Sequence, residues 1–204
     1  MLEAHDLSAR RGFTRLFANL SFAVNPGEAL VVTGANGTGK TTLLRMLAGL
    51  SIPSTGHISW NGHSLRAFDP RLRASAAFAG HLPALKDELS AEENLSALVE
   101  LAGGSCERED IRSALESVAL SRQRALPARV LSQGQRRRIG LARLTLVKRP
   151  LWLLDEPLTA LDAAGAALLT RLLRDHVEGG GLAVVATHAT LDLPPARMRS
   201  LALS

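Results

Sequence analysis

Residues 30–50 read LVVTGANGTGKTTLLRMLAGL, an apolar strand-like run, a glycine-rich turn and a helix-like pattern closed by Gly49. Gly34, Gly39, Lys40 and Thr41 meet the pattern G-x-x-x-x-G-K-[ST]. The pattern has a physical cause. A di- or triphosphate must be wrapped by backbone N–H groups, and glycines such as Gly37 and Gly39 let the chain come close and take positive φ. Ala35, Asn36, Thr38 and Thr42 complete the predicted cradle. Lys40 supplies a point charge for the β and γ phosphates, Thr41 offers a hydroxyl to Mg²⁺, and the helix start adds its dipole. A merely structural glycine turn has no need of Lys40 and Thr41 at those offsets.

Two further apolar runs end in polar residues. Leu151 to Leu154 leads straight into Asp155 and Glu156, as expected of a buried parallel strand with two acids at its carboxyl end. Open α/β sheets place ligands there, so Asp155 is a candidate for the Mg²⁺ shell and Glu156 for orienting or deprotonating a water. The competing reading is a helix N-cap before Pro157. Leu182 to Ala186 ends in Thr187 and His188, and a histidine at a strand end can donate to a γ-phosphate. Between the phosphate loop and the acidic strand, two helix-like stretches, 91–102 and 108–118, are separated by GGSC and predict an inserted helical subdomain. Pro194 onward reads as a short terminal strand or loop.

The stretch LSQGQRRRIGLARL, residues 131–144, poses a charge problem. Ser132 and Gln135 have capping-box spacing. That does not explain Gly134 in the first turn, where glycine costs about 1 kcal/mol relative to alanine. Nor does it explain Arg136, Arg137 and Arg138 at a helix end whose dipole is already positive. A negative group is expected nearby.

Composition narrows the class. The 204 residues, 46% hydrophobic and 21% charged, suit one globular domain and exclude a disordered chain. No apolar run approaches the roughly 18 residues needed to cross a bilayer, and the first residues lack the apolar stretch of a secretory signal, so a cytosolic protein is expected. Cys106 is the only cysteine, which excludes an internal disulfide and a CxxC site. The net charge of +5 is spread along the chain and selects no partner.

GANGTGKTT, LSQGQ, LWLLDEP, TALD at 159–162 and TH at 187–188 resemble, in content and order, the ATP-binding cassette ATPases. LSQGQ discriminates most, since the other motifs are shared with unrelated nucleotide hydrolases. The resemblance implies an α/β P-loop fold with a RecA-like core, a small N-terminal β-region and an inserted helical subdomain. It covers one domain, 1–204, with the nucleotide-binding core in 1–80 and 136–204 and the subdomain in about 81–135. It implies ATP and Mg²⁺ as ligands and a head-to-tail homodimer in which Ser132, Gln133, Gly134 and Gln135 face the other copy's nucleotide. It further implies Glu156 as general base, His188 as γ-phosphate sensor and Asp162 as a link between the two sites.

Two positions depart from the family pattern. His81 stands where a glutamine usually contacts Mg²⁺ and water, and Arg11 falls near the aromatic that stacks on adenine, with Phe13 as a substitute. GHLPALKDELSAEENL, the RR of the LSQGQ stretch, Leu144 and the compact length are most similar to the haem-exporter ATPases of cytochrome c maturation. That branch implies separate integral membrane subunits docking near residues 81–89, an indirect haem chaperone, and a peripheral position on the cytoplasmic face of the cell inner membrane. No direct nucleic-acid contact is implied. A nucleic-acid clamp would call for long coiled-coil or tandem insertions, and no heptad run is present. A P-loop kinase would leave LSQGQ without a role.

Overall fold

The structure is a computed structural model and describes residues 1–81 and 83–204. The chain divides into two compact units. The first comprises Met1–Gly80, Arg149–Pro157 and Leu173–Ser204, and the second His81–Lys148 and Leu158–Leu172.

In the first unit, β1 (Leu2–Arg11), β2 (Thr14–Val24), β4 (Thr55–Trp60) and β5 (His63–Leu65) form an antiparallel sheet in the order β2-β1-β4-β5. A parallel sheet in the order β6-β7-β8-β3-β9 combines β3 (Ala29–Thr33), β6 (Ala76–Ala79), β7 (Leu151–Asp155), β8 (Leu182–Ala186) and β9 (Met198–Ala202). All residues of β7 and β8 are buried, which is why both read as continuous apolar runs rather than alternating ones. Leu43, Leu44, Met46 and Leu47 of α1 (Lys40–Leu47) join Leu2, Leu7, Ile58 and Trp60 and the inward residues of β3, β7 and β8 in one core. A short α2 (Pro70–Ser75), capped by Asp69 and started by Pro70, leads into β6. The terminal segment read as strand or loop is β9, paired in parallel with β3.

The second unit packs α3 (Ala91–Leu101) and α4 (Arg108–Ser117) on α5 (Gln133–Leu146). Leu95, Val99, Ile111, Leu115, Ile139 and Leu144 are buried in it. Buried Asn94 pins the loop before α3. Its Oδ1 accepts from the Lys86 amide at 2.8 Å, and its amide nitrogen donates to the carbonyls of Lys86, Leu89 and Ser90. The sequence reading returned to the core at residue 136. The compact unit keeps α5 whole, because the helix is unbroken to Leu146 and its apolar face packs on α3 and α4. α6 (Ala163–Glu178) contributes its first ten residues to this unit and its last six to the other. No helix among the described residues is long and apolar enough to cross a membrane.

Candidate active site

Three parallel strands of the first unit end together, and their ends carry the predicted polar residues. β3 runs into the loop Gly34–Gly39 and then α1. Gly34 has φ +140°, and a Cβ there would run into the Leu203 carbonyl; Gly39 caps α1 with φ +101°. These two positions require glycine for different reasons, one for space and one for a left-handed cap. Thr38 Oγ1 donates to the Ala35 carbonyl at 3.0 Å and closes the loop on itself. Gly37, Asn36 and Ala35 lie exposed along it, and Thr42 is half-buried behind.

Lys40 is buried, and its ammonium donates to the Gly34 carbonyl at 2.6 Å and the Ala35 carbonyl at 3.3 Å. Its third neighbour is His188 Nε2 at 2.8 Å, at the end of β8. An ammonium only donates, so toward Lys40 the ring nitrogen can only accept. The same Nε2 lies 3.2 Å from Asn36 Oδ1 and 3.5 Å from Glu156 Oε1. Lysine, histidine and glutamate from three strand ends thus surround one point at the mouth of the loop.

Asp155, 2% exposed at the end of β7, accepts from Thr41 Oγ1 at 2.8 Å. A buried carboxylate beside a hydroxyl is a hard-oxygen donor pair, the chemistry Mg²⁺ selects, and Mg²⁺ completes its shell with waters and phosphate oxygens rather than a protein cage. The residues fit that ion. Glu156 follows with φ +45°, a left-handed conformation that is uncommon outside glycine, and its amide donates to the Ala186 carbonyl at 2.9 Å. Backbone held in that region costs about 1–3 kcal/mol and collects at functional sites. The acids therefore sit at a strand end with the second one turned out of the sheet direction, and the helix-cap reading of Asp155 does not hold: its side chain faces Thr41.

The second unit contains the other predicted residues. Ser132 caps α5, with its Oγ accepting from the Gln135 amide at 3.2 Å and Gln135 Oε1 accepting from the Ser132 amide at 2.9 Å. Gly134 has an additional reason unseen in the sequence. A Cβ on it would lie 2.8 Å from the Ala160 carbonyl, and Ala160 itself has φ +64°. The three arginines also find acceptors inside the unit. Arg136 pairs with Asp87, Arg137 donates to the His81 carbonyl at 2.6 Å, and Arg138 donates to Asp162 at 2.6 Å. Part of the expected negative charge is thus intramolecular. Asp162 Oδ1 also accepts from the Gly165 amide at 2.8 Å, so Asp162 caps the start of α6. That amide first, and the Arg138 guanidinium second, hold its carboxyl below the usual aspartate range. His81 is exposed at the start of the unit, and neighbouring Leu82 lies outside the described residues. Arg11 and fully exposed Phe13 are at the β1–β2 turn of the first unit.

A phosphate loop joined to a buried acid, a second acid and a histidine at adjacent parallel strand ends defines a P-loop nucleotide hydrolase. The family model described as ABC transporter matches residues 17–159, and the chain belongs to that family. Over 204 residues, the whole of this chain and 96% of the relative, it is 47% identical to the "Cytochrome c biogenesis ATP-binding export protein CcmA" of Nitrosomonas europaea. Among solved structures it resembles a putative ABC transporter ATP-binding protein from Pyrococcus furiosus, with TM-score 0.85, 25% identity and coverage of 99% of this chain and 96% of that one. It also resembles a dimeric ATP-binding cassette in a post-hydrolysis state bound to ADP and Pi, with TM-score 0.80, 25% identity and coverage of 93% and 88%.

Proposed function

We propose that the chain is the ATP-hydrolysing subunit of a cytochrome c biogenesis exporter, the role carried in its relative's name, and that it works as a homodimer on separate integral membrane subunits. The carrying observation is the convergence of Lys40, Thr41, Asp155, Glu156 and His188 at three strand ends. The loop amides and Lys40 bind the phosphates of ATP. Thr41 and Asp155 hold Mg²⁺, which neutralises phosphate charge when bound. Glu156 accepts a proton from the water whose oxygen bonds to the γ-phosphorus as the bond to the β-phosphate oxygen breaks. His188 marks the γ-phosphate with a ring hydrogen, and His81 takes the water and Mg²⁺ contact. Ser132, Gln133 and the Gly134 backbone offer a helix start to the other copy's γ-phosphate, with Gln135 bracing the turn and Asp162 linking the two sites. The chain sits peripherally on the cytoplasmic face of the inner membrane, its membrane partners dock near residues 81–89, and hydrolysis releases a haem-loaded chaperone.

The test is Glu156→Gln, which keeps the shape and removes the base. Phosphate release is expected to fall about 10²–10⁴-fold, the range of general-base assistance, with ATP affinity retained. Undiminished turnover in that variant removes Glu156 from this role.

A further inference from the structure

The chain contains two Asn-Gly pairs, Asn36–Gly37 in the phosphate loop and Asn61–Gly62 in the turn between β4 and β5, and both are exposed. Such a pair carries a latent reaction. The glycine nitrogen can attack the asparagine side-chain carbonyl carbon, since no Cβ stands in the way. Positive charge near the carboxamide favours the oxyanion formed during attack, and both pairs have it. Asn36 Oδ1 is 3.2 Å from His188 Nε2, which in turn is 2.8 Å from the Lys40 ammonium, and Asn61 Oδ1 is 2.6 Å from the N-terminal ammonium of Met1.

The pairs differ in their freedom to close. Asn61 is anchored twice to Met1, because its amide also donates to the Met1 carbonyl at 2.9 Å, and Asn61 and Gly62 hold the left-handed conformations of a two-residue hairpin turn between register partners Trp60 and His63. The phosphate loop has no such frame. Among the described residues the Gly37 amide has no acceptor, whereas the neighbouring Thr38 amide donates to the Ala35 carbonyl at 3.4 Å. A Cβ on Gly37 would meet nothing within 4 Å, so glycine stands there for its φ of +89° and not for space. A bulkier neighbour that would slow the attack is thereby disfavoured.

We propose that Asn36 is a self-modification site, which closes on the Gly37 nitrogen while the loop holds no nucleotide and is protected when nucleotide is bound. The protection rests on the reading of the chain as a nucleotide hydrolase. The Gly37 nitrogen gives its proton to hydroxide and bonds to Asn36 Cγ. The Cγ–Nδ2 bond breaks, the nitrogen leaves as ammonia, and a five-membered succinimide remains. Water then opens the ring at either carbonyl, giving aspartate or isoaspartate. Either product puts a carboxylate in the cradle where phosphate must sit, and isoaspartate also adds a methylene to the backbone whose amides wrap the phosphates. A phosphate seated in the loop engages the Gly37 amide and occupies the attacking nitrogen. The protein is thus inactivated fastest when idle.

The experiment stores the full chain at mildly alkaline pH with and without ADP and Mg²⁺, which bind without turnover, and follows both asparagines by peptide mass spectrometry. Without nucleotide, residue 36 is expected to convert sooner than residue 61. With ADP at about ten times its Kd, conversion at 36 is expected to slow about tenfold as the unoccupied fraction falls, and conversion at 61 to change less than about twofold. Phosphate release, assayed after ADP is removed, is expected to fall in step with the converted fraction at 36. Asn36→Gln, whose longer side chain must close a six-membered ring, is expected to keep its own starting rate over the same storage; if it is inactive when fresh, peptide mapping of the parent chain decides. Residue 36 staying intact while 61 converts overturns the proposal. So does equal conversion at 36 with ADP bound, or full phosphate release from a largely converted sample. Failure of nucleotide to bind counts against the hydrolase reading, and the order of conversion at 36 and 61 then decides this one.

Discussion

Two groups of three arginines lie in this chain, and they do opposite things. Arg136, Arg137 and Arg138 enter the first turns of α5 and are held by Asp87, the His81 carbonyl and Asp162. Arg10, Arg11 and Arg15 surround the β1–β2 turn with no ion-pair partner among the described residues. By position in the sequence the first group looks more in need of an external anion, since a helix start already carries positive charge. Part of its need is met within the unit, where the carboxylates of Asp87 and Asp162 take Arg136 and Arg138. Unsatisfied charge collects instead at the hairpin. A run of cations is thus a poor guide to a binding surface until its acceptors are known.

The contrast has measurable consequences, the largest on stability. Arg137 is 6% exposed and donates to a backbone carbonyl, so Arg137→Ala leaves a carbonyl unpaired and is expected to lower the unfolding free energy by about 1–3 kcal/mol. Arg10→Gln or Arg15→Gln is expected to change it by no more than about 0.5 kcal/mol. Denaturant titration of the variants side by side reads the difference, and equal losses would erase the distinction between the two groups.

Gly134→Ala comes next, because two effects of opposite sign compete. Alanine gains about 1 kcal/mol of helix propensity. The added methyl meets the Ala160 carbonyl, and overpacking of that kind costs about 1–3 kcal/mol. A net loss is expected without any nucleotide present; a stabilised variant would mean that Gly134 answers only to the ligand.

A buried histidine sharpens the comparison from the other side. His176 stacks on Trp152 with ring centroids 4.0 Å apart, and burial holds its pKa below the ordinary histidine value. The folded state disfavours the proton, so stability is full above the unfolded pKa of about 6.5 and declines as pH falls below it. His176→Gln is expected to flatten that slope in the range from about 6.5 downward, followed through Trp152 fluorescence, and an unaltered slope would assign it to other groups. The smallest effect is at the hairpin. Relieving the Arg10–Arg15 opposition with Arg15→Thr is expected to stabilise the chain by a few tenths of a kcal/mol at low salt, about the size of a cross-strand pair. The gain is expected to vanish near 1 M salt, where the screening length is about 3 Å. A salt-independent gain would point to strand propensity instead.

How much of this was legible depended on the range of the interaction. β8 was readable to the residue, Leu182–Ala186, and α3 and α4 to within one residue, because burial and amphipathic period are written locally. The capping box of Ser132 and Gln135 was readable for the same reason. The acceptors of Arg136 and Arg138 lie 49 and 24 residues away, and no local pattern announces them. Nor does sequence announce positive φ at Glu156 and Ala160, since neither is glycine or asparagine. The close approach of the Ala160 carbonyl explains Gly134 only once the turn before α6 is seen. Asn94, central to the loop before α3, was missed because a single asparagine in a helical pattern reads as a solvated face.

The central claim is that a hydrolytic centre needs the strand-end residues of one copy and the α5 start of another. The most direct measurement is phosphate release per chain at saturating ATP and Mg²⁺ over a dilution series, with association state followed by sedimentation in the same samples. Turnover per chain is expected to fall with the fraction of dimer as the protein is diluted. A rate per chain that stays constant in samples that are strictly monomeric would contradict the account.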